Sequence, residues 1–219
     1  MRSGEAATGR LLSHRGGDLL RLRLFRGAER AVRARAEHGV NGRVTDPWPA
    51  GWYVVVSGPP GSGKTTLARA IAPALGLPLI AKDTIKEALM TVLPVPDVAA
   101  SRDIGAASVA ALLAVAAEAP GAVLECAWHR SRAAADLAGL PGSVVEVFCR
   151  LDREVAARRY ARRSGTRPAG HFDARRTPGE IWNDDVARPV AGGWPVLEVG
   201  TTGPVGIGSL AARIRAAAR

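Results

Sequence analysis

The chain has 219 residues, 47% of them apolar, and a formal charge of +10. This length suits one α/β domain with an appendage and argues against two large domains. No apolar run approaches the roughly 20 residues of a membrane-spanning helix, and the N-terminus lacks the apolar segment of a secretory signal, so we expect a cytoplasmic protein without membrane association.

Residues 1–50 differ in composition from the rest of the chain. They contain ten arginines, five acidic residues and no sustained apolar period beyond residues 19–25. We expect a flexible basic extension. An arginine-rich arm that binds nucleic acid or a membrane surface is one alternative, and a targeting peptide is another. The Pro- and Gly-rich residues 45–51 then mark a boundary, so the predicted domain spans residues 51–219.

From Trp52 onward, predicted strands alternate with predicted helices. Continuous apolar runs predict five buried strands, at residues 52–57, 77–81, 122–126, 144–149 and 195–199. Helices are predicted over residues 63–75, 84–93, 101–119, 153–163 and 204–218, with a short helix from residue 177. This alternation predicts a three-layer α/β/α fold around a five-stranded parallel sheet, with the ligand beyond the carboxyl ends of the strands.

Two of the predicted helix starts carry the spacing of a capping box. In this motif a Ser or Thr side chain and a Glu three residues later satisfy free backbone N–H groups. Thr84 and Glu87 have this spacing, and so do Thr177 and Glu180, with Pro178 at the first helical position. We therefore expect helices capped by these two threonines.

The turn after the first strand carries the most specific motif of the chain. Its residues Gly58-Pro59-Pro60-Gly61-Ser62-Gly63-Lys64-Thr65 match the Walker A pattern G-x-x-x-x-G-K-[ST] at every fixed position. Glycines let successive N–H groups point at a phosphate, Lys64 supplies a positive charge for the β- and γ-phosphates, and Thr65 offers a hydroxyl to Mg²⁺. Thr66 is expected to contact the α-phosphate. ATP and Mg²⁺ are therefore the predicted cofactors.

Other nucleotide-binding signatures narrow the class of P-loop protein. A GTPase needs an Asn-Lys-x-Asp guanine reader, which the chain lacks. Motor ATPases of the AAA+ type usually carry two adjacent acids at the end of the third strand, where this chain has only Glu125. Small-molecule and nucleic-acid kinases remain.

Polar residues that follow the second and third strands are the candidate chemical groups. Asp83 is predicted to act as general base toward the acceptor hydroxyl or to orient it, and a helix cap is its plain structural role. Glu125 is predicted to bind Mg²⁺ through water, and a buried salt bridge is its alternative role. Lys86, Trp128 and Arg130 are predicted, together with Asp83, to contact the acceptor.

The arginine-rich helix at residues 153–163 is predicted to be a mobile lid over ATP. Arg158 and Arg162 lie one turn apart on it, as do Arg159 and Arg163. The first pair is predicted to reach the transferred phosphoryl group, where positive charge lowers the barrier; a solvated helix face is the alternative for any single arginine. Thr202, after the fifth strand, is predicted to lie against adenine, although an ordinary turn would look the same.

Residues 52–215 resemble a group of small P-loop kinases that includes chloramphenicol phosphotransferase and the kinase domains of polynucleotide 5′-kinases, often labelled AAA-type ATP-binding proteins. The resemblance rests on the phosphate loop, on Lys82-Asp83-x-x-Lys86-Glu87, on Glu125 where the group often has Asp, and on the arginine-rich lid. It implies the strand order 2-3-1-4-5 and a role for Asp83 as base. The third strand is followed by Cys-Ala-Trp-His-Arg and not by the residues typical of polynucleotide kinases, which argues against a polynucleotide substrate.

These observations lead to one main functional hypothesis. An ATP-dependent kinase that phosphorylates a hydroxyl of a nucleoside, a sugar or an antibiotic-like metabolite explains them best. Two alternatives stay open, namely a nucleotide-dependent switch or ATPase and a polynucleotide 5′-hydroxyl kinase. Nucleic-acid binding by residues 1–50 is not favoured, and the oligomeric state is not predicted.

Overall fold

A computed structural model describes residues 51–218. The predicted extension at residues 1–50 and the last residue lie outside the described residues. Five parallel strands form one sheet in the order β2-β3-β1-β4-β5, as predicted. Their bounds are β1 Trp52–Ser57, β2 Leu79–Ala81, β3 Gly121–Glu125, β4 Ser143–Arg150 and β5 Val196–Gly200.

Helices cover both faces of this sheet, which confirms the predicted three-layer fold. They are α1 Lys64–Leu75, α2 Lys82–Met90, α3 Val98–Ala117, α4 Arg130–Ala138, α5 Arg153–Ser164, α6 Pro178–Ile181, α7 Asp184–Ala187 and α8 Ile207–Ala217. Two short 3₁₀ turns, Ala169–His171 and Asp173–Arg175, follow α5.

The central strands are largely apolar because the sheet is buried on both faces. Val54 and Val56 of β1 pack into one core with α1 and α8, whereas Tyr53 and Val55 pack into the other core with α3 and α4. Residues 53–56 are all fully buried. Alternate residues of one strand thus enter different cores, as the two-residue period of a strand requires.

Helix α2 begins earlier than predicted, which corrects one of the two capping boxes. It starts at Lys82, directly after β2, and its N-cap Ala81 makes no side-chain capping bond. Thr84 and Glu87 therefore lie inside the helix, and Asp83 lies in its first turn. The second box is confirmed, because the Thr177 hydroxyl accepts from the Glu180 N–H while the Glu180 carboxylate accepts from the Thr177 N–H.

Helix α4 was not predicted from the sequence. Its apolar side is small, since only Ala133 and Leu137 are buried, and the remaining turns carry polar residues and alanine. These two residues have the i, i+4 spacing of one helix face, which is the signal that was available.

Helix α3 lies against α2, β2 and β3. Among the described residues it is the one helix long and apolar enough to cross a membrane, judged by length and composition alone. One side of it is buried in the domain, at residues Ser101, Ile104, Ser108, Leu112 and Ala116. Its exposed positions are rich in alanine, which is why the apolar composition does not require burial of the whole helix.

Candidate active site

The phosphate loop leaves the carboxyl end of β1 and leads directly into α1. Gly58, Gly61 and Gly63 have positive φ values of 131°, 84° and 84°. A Cβ on Gly58 would lie 2.7 Å from the Cys149 carbonyl oxygen, closer than real Cβ atoms approach. The backbone conformation and the close approach to β4 therefore both require glycine at position 58.

Lys64 is the first residue of α1 and lies at the base of this loop. Its side chain is buried, and its Nζ donates to the Pro59 carbonyl oxygen at 2.9 Å. Burial lowers the pKa of the Lys64 ammonium, although the nearby Glu125 carboxylate opposes this shift. The neighbouring Ser62 hydroxyl is buried without a hydrogen-bond partner among the described residues. A loop with a desolvated ammonium and an unpaired hydroxyl fits an anionic ligand.

Glu125 ends β3, the strand next to β1, and is 5% exposed. Burial raises the pKa of its carboxyl, while Lys64 and a hydrogen bond with the Thr65 side chain lower it. The sheet thus brings the predicted Mg²⁺ residues, Thr65 and Glu125, side by side. Within residues 51–218 no three His, Cys, Asp or Glu side chains gather to hold a metal. These two residues suit Mg²⁺ that takes its other ligands from phosphates and water.

Asp83 lies in the first turn of α2 and is held by two cations. Lys82 Nζ donates to its carboxylate at 3.1 Å and Arg167 Nη2 at 2.6 Å. Burial alone would raise the pKa of Asp83, but Lys82 and Arg167 outweigh it and hold the pKa far below its usual range. A carboxylate stabilised in this way is a weak base, so the arrangement favours orientation of a hydroxyl over proton removal.

Arg167 connects the segment after α5 to α2. Besides Asp83 it contacts Asp173, at 3.1 Å from Nη1, and Tyr160 donates to the same carboxylate at 2.7 Å. His171 Nε2 lies 3.0 Å from the Glu87 carboxylate. The pairs Arg167–Asp83 and His171–Glu87 each join residues 84 positions apart. Sequence analysis did not select Arg167, because only the fold brings it to Asp83.

Only one arginine of the predicted pair on α5, the predicted lid, lines the cavity. Arg158 is largely exposed, ion-pairs with Glu154 at 3.8 Å and does not line the cavity, so its contact with the phosphoryl group stays a prediction. Arg162 does line the cavity, as do Arg159 and Arg163. The pairs Arg158/Arg162 and Arg159/Arg163 have the same i, i+4 spacing, so the spacing does not show which residues face inward. The rotation of α5 about its axis decides this.

The loop after β5 is hydrogen-bonded to α5. Arg159 donates from Nη1 to the Thr201 carbonyl oxygen and from Nη2 to the Thr202 carbonyl oxygen, each at 2.9 Å. Thr202 itself is exposed and does not line the cavity, so its contact with adenine stays a prediction.

The two predicted acceptor residues that follow β3, Trp128 and Arg130, differ in whether they line the cavity. Trp128 is 3% exposed, packs in the core beside α4 and lines the cavity, with its Nε1 unpaired among the described residues. Arg130 is the first residue of α4 and does not line this cavity, so its contact with the acceptor stays a prediction. Arg132, one residue beyond Ser131, faces the cavity instead.

A single large cavity of about 1370 Å³ connects these groups. This volume exceeds the roughly 300–1,000 Å³ typical of sites for one small ligand, so it suits a nucleotide together with a second compound. Cations outnumber carboxylates along its wall, and the basic side chains are Lys64, Lys82, Lys86, Arg102, Arg132, Arg159, Arg162, Arg163, Arg167 and Arg176.

Comparison with known proteins finds a matching family model and solved structures that resemble this chain. The family model described as AAA domain matches residues 54–184, which contain the phosphate loop, Asp83 and the predicted lid helix α5. A candidate kinase from Chloroflexus aurantiacus J-10-fl has a crystal structure with 25% identity and a TM-score of 0.68, covering 78% of this chain and 100% of its own. A gluconokinase from Sinorhizobium meliloti 1021 has 22% identity and a TM-score of 0.50, covering 78% of this chain and 93% of its own. This second similarity shows the fold alone. No curated protein matches the sequence.

Proposed function

Because the chain belongs to the AAA domain family and has the fold of the small P-loop kinases, we propose that it transfers the γ-phosphoryl group of ATP to a hydroxyl of a small molecule. One observation carries this proposal. The phosphate loop and the Asp83 carboxylate line the same cavity, and that cavity has room for a second compound beside a nucleotide.

The side chains of the cavity have separate roles in this proposal. Lys64 and the loop N–H groups bind the phosphates, and Thr65 and Glu125 bind Mg²⁺. Asp83 accepts a hydrogen bond from the acceptor hydroxyl and aligns its oxygen with the γ-phosphorus. The new bond joins these two atoms, the bond to the leaving oxygen of ADP breaks, and the hydroxyl proton passes to solvent water. Arg162 and Arg163 neutralise the charge on the phosphoryl oxygens.

Replacement of Asp83 or Lys64 tests this function. We expect Asp83→Asn to reduce phosphoryl transfer by roughly 100-fold, because a neutral amide oxygen accepts the hydrogen bond of the acceptor hydroxyl less strongly than a carboxylate oxygen does. Its affinity for Mg·ATP should stay within about threefold of wild type, since other residues bind the phosphates. Lys64→Ala should abolish detectable nucleotide turnover. Asp184→Asn is a matched control, because Asp184 is exposed and outside the cavity.

The measurements are transfer of labelled phosphate from ATP to a panel of hydroxyl compounds and calorimetry with Mg·ATP. A nucleotide-dependent switch would hydrolyse ATP equally well with Asp83→Asn, which would contradict the kinase. A polynucleotide 5′-kinase would label oligonucleotide ends in preference to metabolites. Normal turnover by Lys64→Ala would contradict the assignment of the phosphate loop.

Two expectations from the sequence accompany this proposal. A cytoplasmic location and the division into residues 1–50 and a domain from residue 51 both stay predictions.

A further inference from the structure

Part of the cavity wall carries positive charge that the proposed ATP site does not use. This wall, which we call the α2–α3 cation cluster, consists of Lys82 and Lys86 from α2, Ser101 and Gly105 from α3, and Arg176 from the segment before α6. All five residues line the cavity.

Lys86 is the most unusual member of the cluster because it is buried without a counterion. It is 3% exposed, and its Nζ donates to the Ser101 hydroxyl at 2.8 Å. No carboxylate within residues 51–218 lies within ion-pair distance of it. An ammonium group has three N–H donors, so two remain for a ligand. A buried ammonium with one neutral partner is costly unless an anion compensates it.

Gly105 leaves open space between the two lysines. A Cβ at this position would lie 3.9 Å from Lys82 Nζ and 3.9 Å from Lys86 Nζ. Both ammonium groups therefore flank the same point on α3, where only a hydrogen atom projects. Glycine inside a helix costs about 1 kcal/mol relative to alanine, so the open space comes at the expense of helix stability.

The carboxylates nearby do not neutralise the cluster. Asp83 is shared between Lys82 and Arg167, and Arg167 also binds Asp173. Arg176 lines the cavity and makes no ion pair among the described residues. Burial lowers the pKa of Lys86 to about 8, and the positive charges of Lys82 and Arg176 add to this shift. The same two charges that destabilise the free ammonium would bind an anion placed between them.

We propose that the acceptor alcohol carries a compact oxyanion, a carboxylate or a phosphate, that binds between Lys82, Lys86 and Arg176 over Gly105. This inference rests on the proposed function and specifies its substrate class. Lys86 donates to the oxyanion, and Arg176 offers the planar donor pair that suits carboxylate and phosphate. Since Lys82 adjoins Asp83, the oxyanion lies close to the acceptor hydroxyl. Hydroxy acids and sugar phosphates have this arrangement, whereas neutral sugars and nucleosides do not.

The first test measures oxyanion binding without knowledge of the acceptor. The full-length protein is saturated with a non-hydrolysable ATP analogue and Mg²⁺, so that the phosphate loop is filled, and is then titrated with inorganic phosphate or acetate in a calorimeter. We expect saturable binding of at least one of the two anions, and the tighter one identifies the class. Lys86→Met and Gly105→Val should each weaken this binding at least tenfold. Arg213→Met, an exposed position on α8, should leave it unchanged.

These outcomes separate the two proposals. The oxyanion site is overturned if both cluster substitutions leave the anion binding unchanged. It is also overturned if the protein binds the ATP analogue but shows no saturable anion binding. Either result leaves the proposed kinase function intact. Failure of the analogue to bind overturns the proposed function itself. Use of two substitutions on different helices guards against a folding defect in one of them.

The second test compares alcohols with and without an oxyanion group. Glycerate is paired with glycerol, and glucose 6-phosphate with glucose, as acceptors for labelled phosphate from ATP. We expect the anionic member of a pair to be the better acceptor, with a KM that rises at least tenfold in Lys86→Met while kcat changes less. A higher kcat/KM for the neutral member would overturn the proposal. If neither pair contains an acceptor, the calorimetric result alone decides whether the oxyanion site exists.

Discussion

At the scale of single residues, Lys86 shows how a side chain can favour binding at the expense of folding. Its ammonium is buried beside other cations, with a hydroxyl as its partner. The folded protein therefore holds this proton less tightly than the unfolded chain does. A lowered pKa in the folded state means that the neutral amine is the form that folding prefers. The ammonium thus destabilises the free protein at neutral pH.

We predict that Lys86→Met raises the free energy of unfolding of the ligand-free protein by about 1 kcal/mol at pH 7, because an apolar chain of similar length removes a buried, poorly paired charge. The gain should be complete below the folded pKa of about 8. It should shrink as the pH rises and vanish above about 10.5, where the amine is neutral in both states. Urea unfolding at pH 7 and pH 9 measures it. A loss of stability at pH 7 would show that Lys86 is a structural residue.

The residues of the site differ in how far the sequence could identify them. The phosphate loop is local, so eight consecutive residues define both its geometry and its ligand. Asp83 was identified by its place after β2, but its pairing with Arg167, 84 residues away, depends on the fold. Arg158 was preferred over Arg159 and Arg163, which line the cavity, because α5 has arginines on several faces, so their spacing does not show which face is inward.

At the scale of elements, β4 contributes a buried carboxylate that organises the loop before β5. Glu146 is fully buried, and its Oε1 accepts from the Ser57 hydroxyl at 2.5 Å and the Val190 N–H at 2.8 Å. Its Oε2 accepts from the Ala191 N–H at 2.9 Å and Trp194 Nε1 at 3.2 Å. Four donors thus converge on one side chain, which joins β1, β4 and the loop at residues 190–194.

We predict that Glu146→Gln lowers the free energy of unfolding by about 3 kcal/mol, because the amide NH₂ would face donors and leave buried N–H or O–H groups unpaired. Chemical denaturation measures the change. Glu198→Gln on β5 is the matched control, since Glu198 is exposed and its contact with Arg150 is 3.7 Å long. That control should change stability by less than about 1 kcal/mol. Equal effects of the two substitutions would contradict the role of the Glu146 carboxylate in holding the loop at residues 190–194.

The elements themselves were predicted well where burial makes a continuous pattern. All five strands agree with the sequence analysis, because buried strands give continuous apolar runs. Their order agrees with the one that the resemblance implied. Helix α4 was missed because it buries only Ala133 and Leu137. The start of α2 was misplaced because β2 leads directly into it, so the helix begins without the capping side chain that sequence analysis seeks.

At the scale of the whole molecule, residues 51–218 contain the two hydrophobic cores described above and the cavity-lining residues named above. The first core joins α1 and α8 to the sheet, and the second joins α3 and α4 to it. Every strand of the sheet and every residue assigned to ATP, Mg²⁺ or the acceptor lies between residues 51 and 218. The family match at residues 54–184 falls within the same span.

We therefore predict that a chain starting at Asp46 folds and binds Mg·ATP like the full-length protein, with a midpoint of thermal unfolding within about 3 °C and an affinity within about twofold. This start falls within the Pro- and Gly-rich boundary predicted at residues 45–51. Scanning calorimetry and titration with Mg·ATP compare the two proteins, and titration with random oligonucleotides at two salt concentrations checks the alternative role of residues 1–50. If the shorter chain lost ATP affinity, the extension would belong to the catalytic domain. If it lost only a salt-sensitive affinity for oligonucleotides, the arginines of the extension would bind nucleic acid, and the kinase domain would still be complete without them.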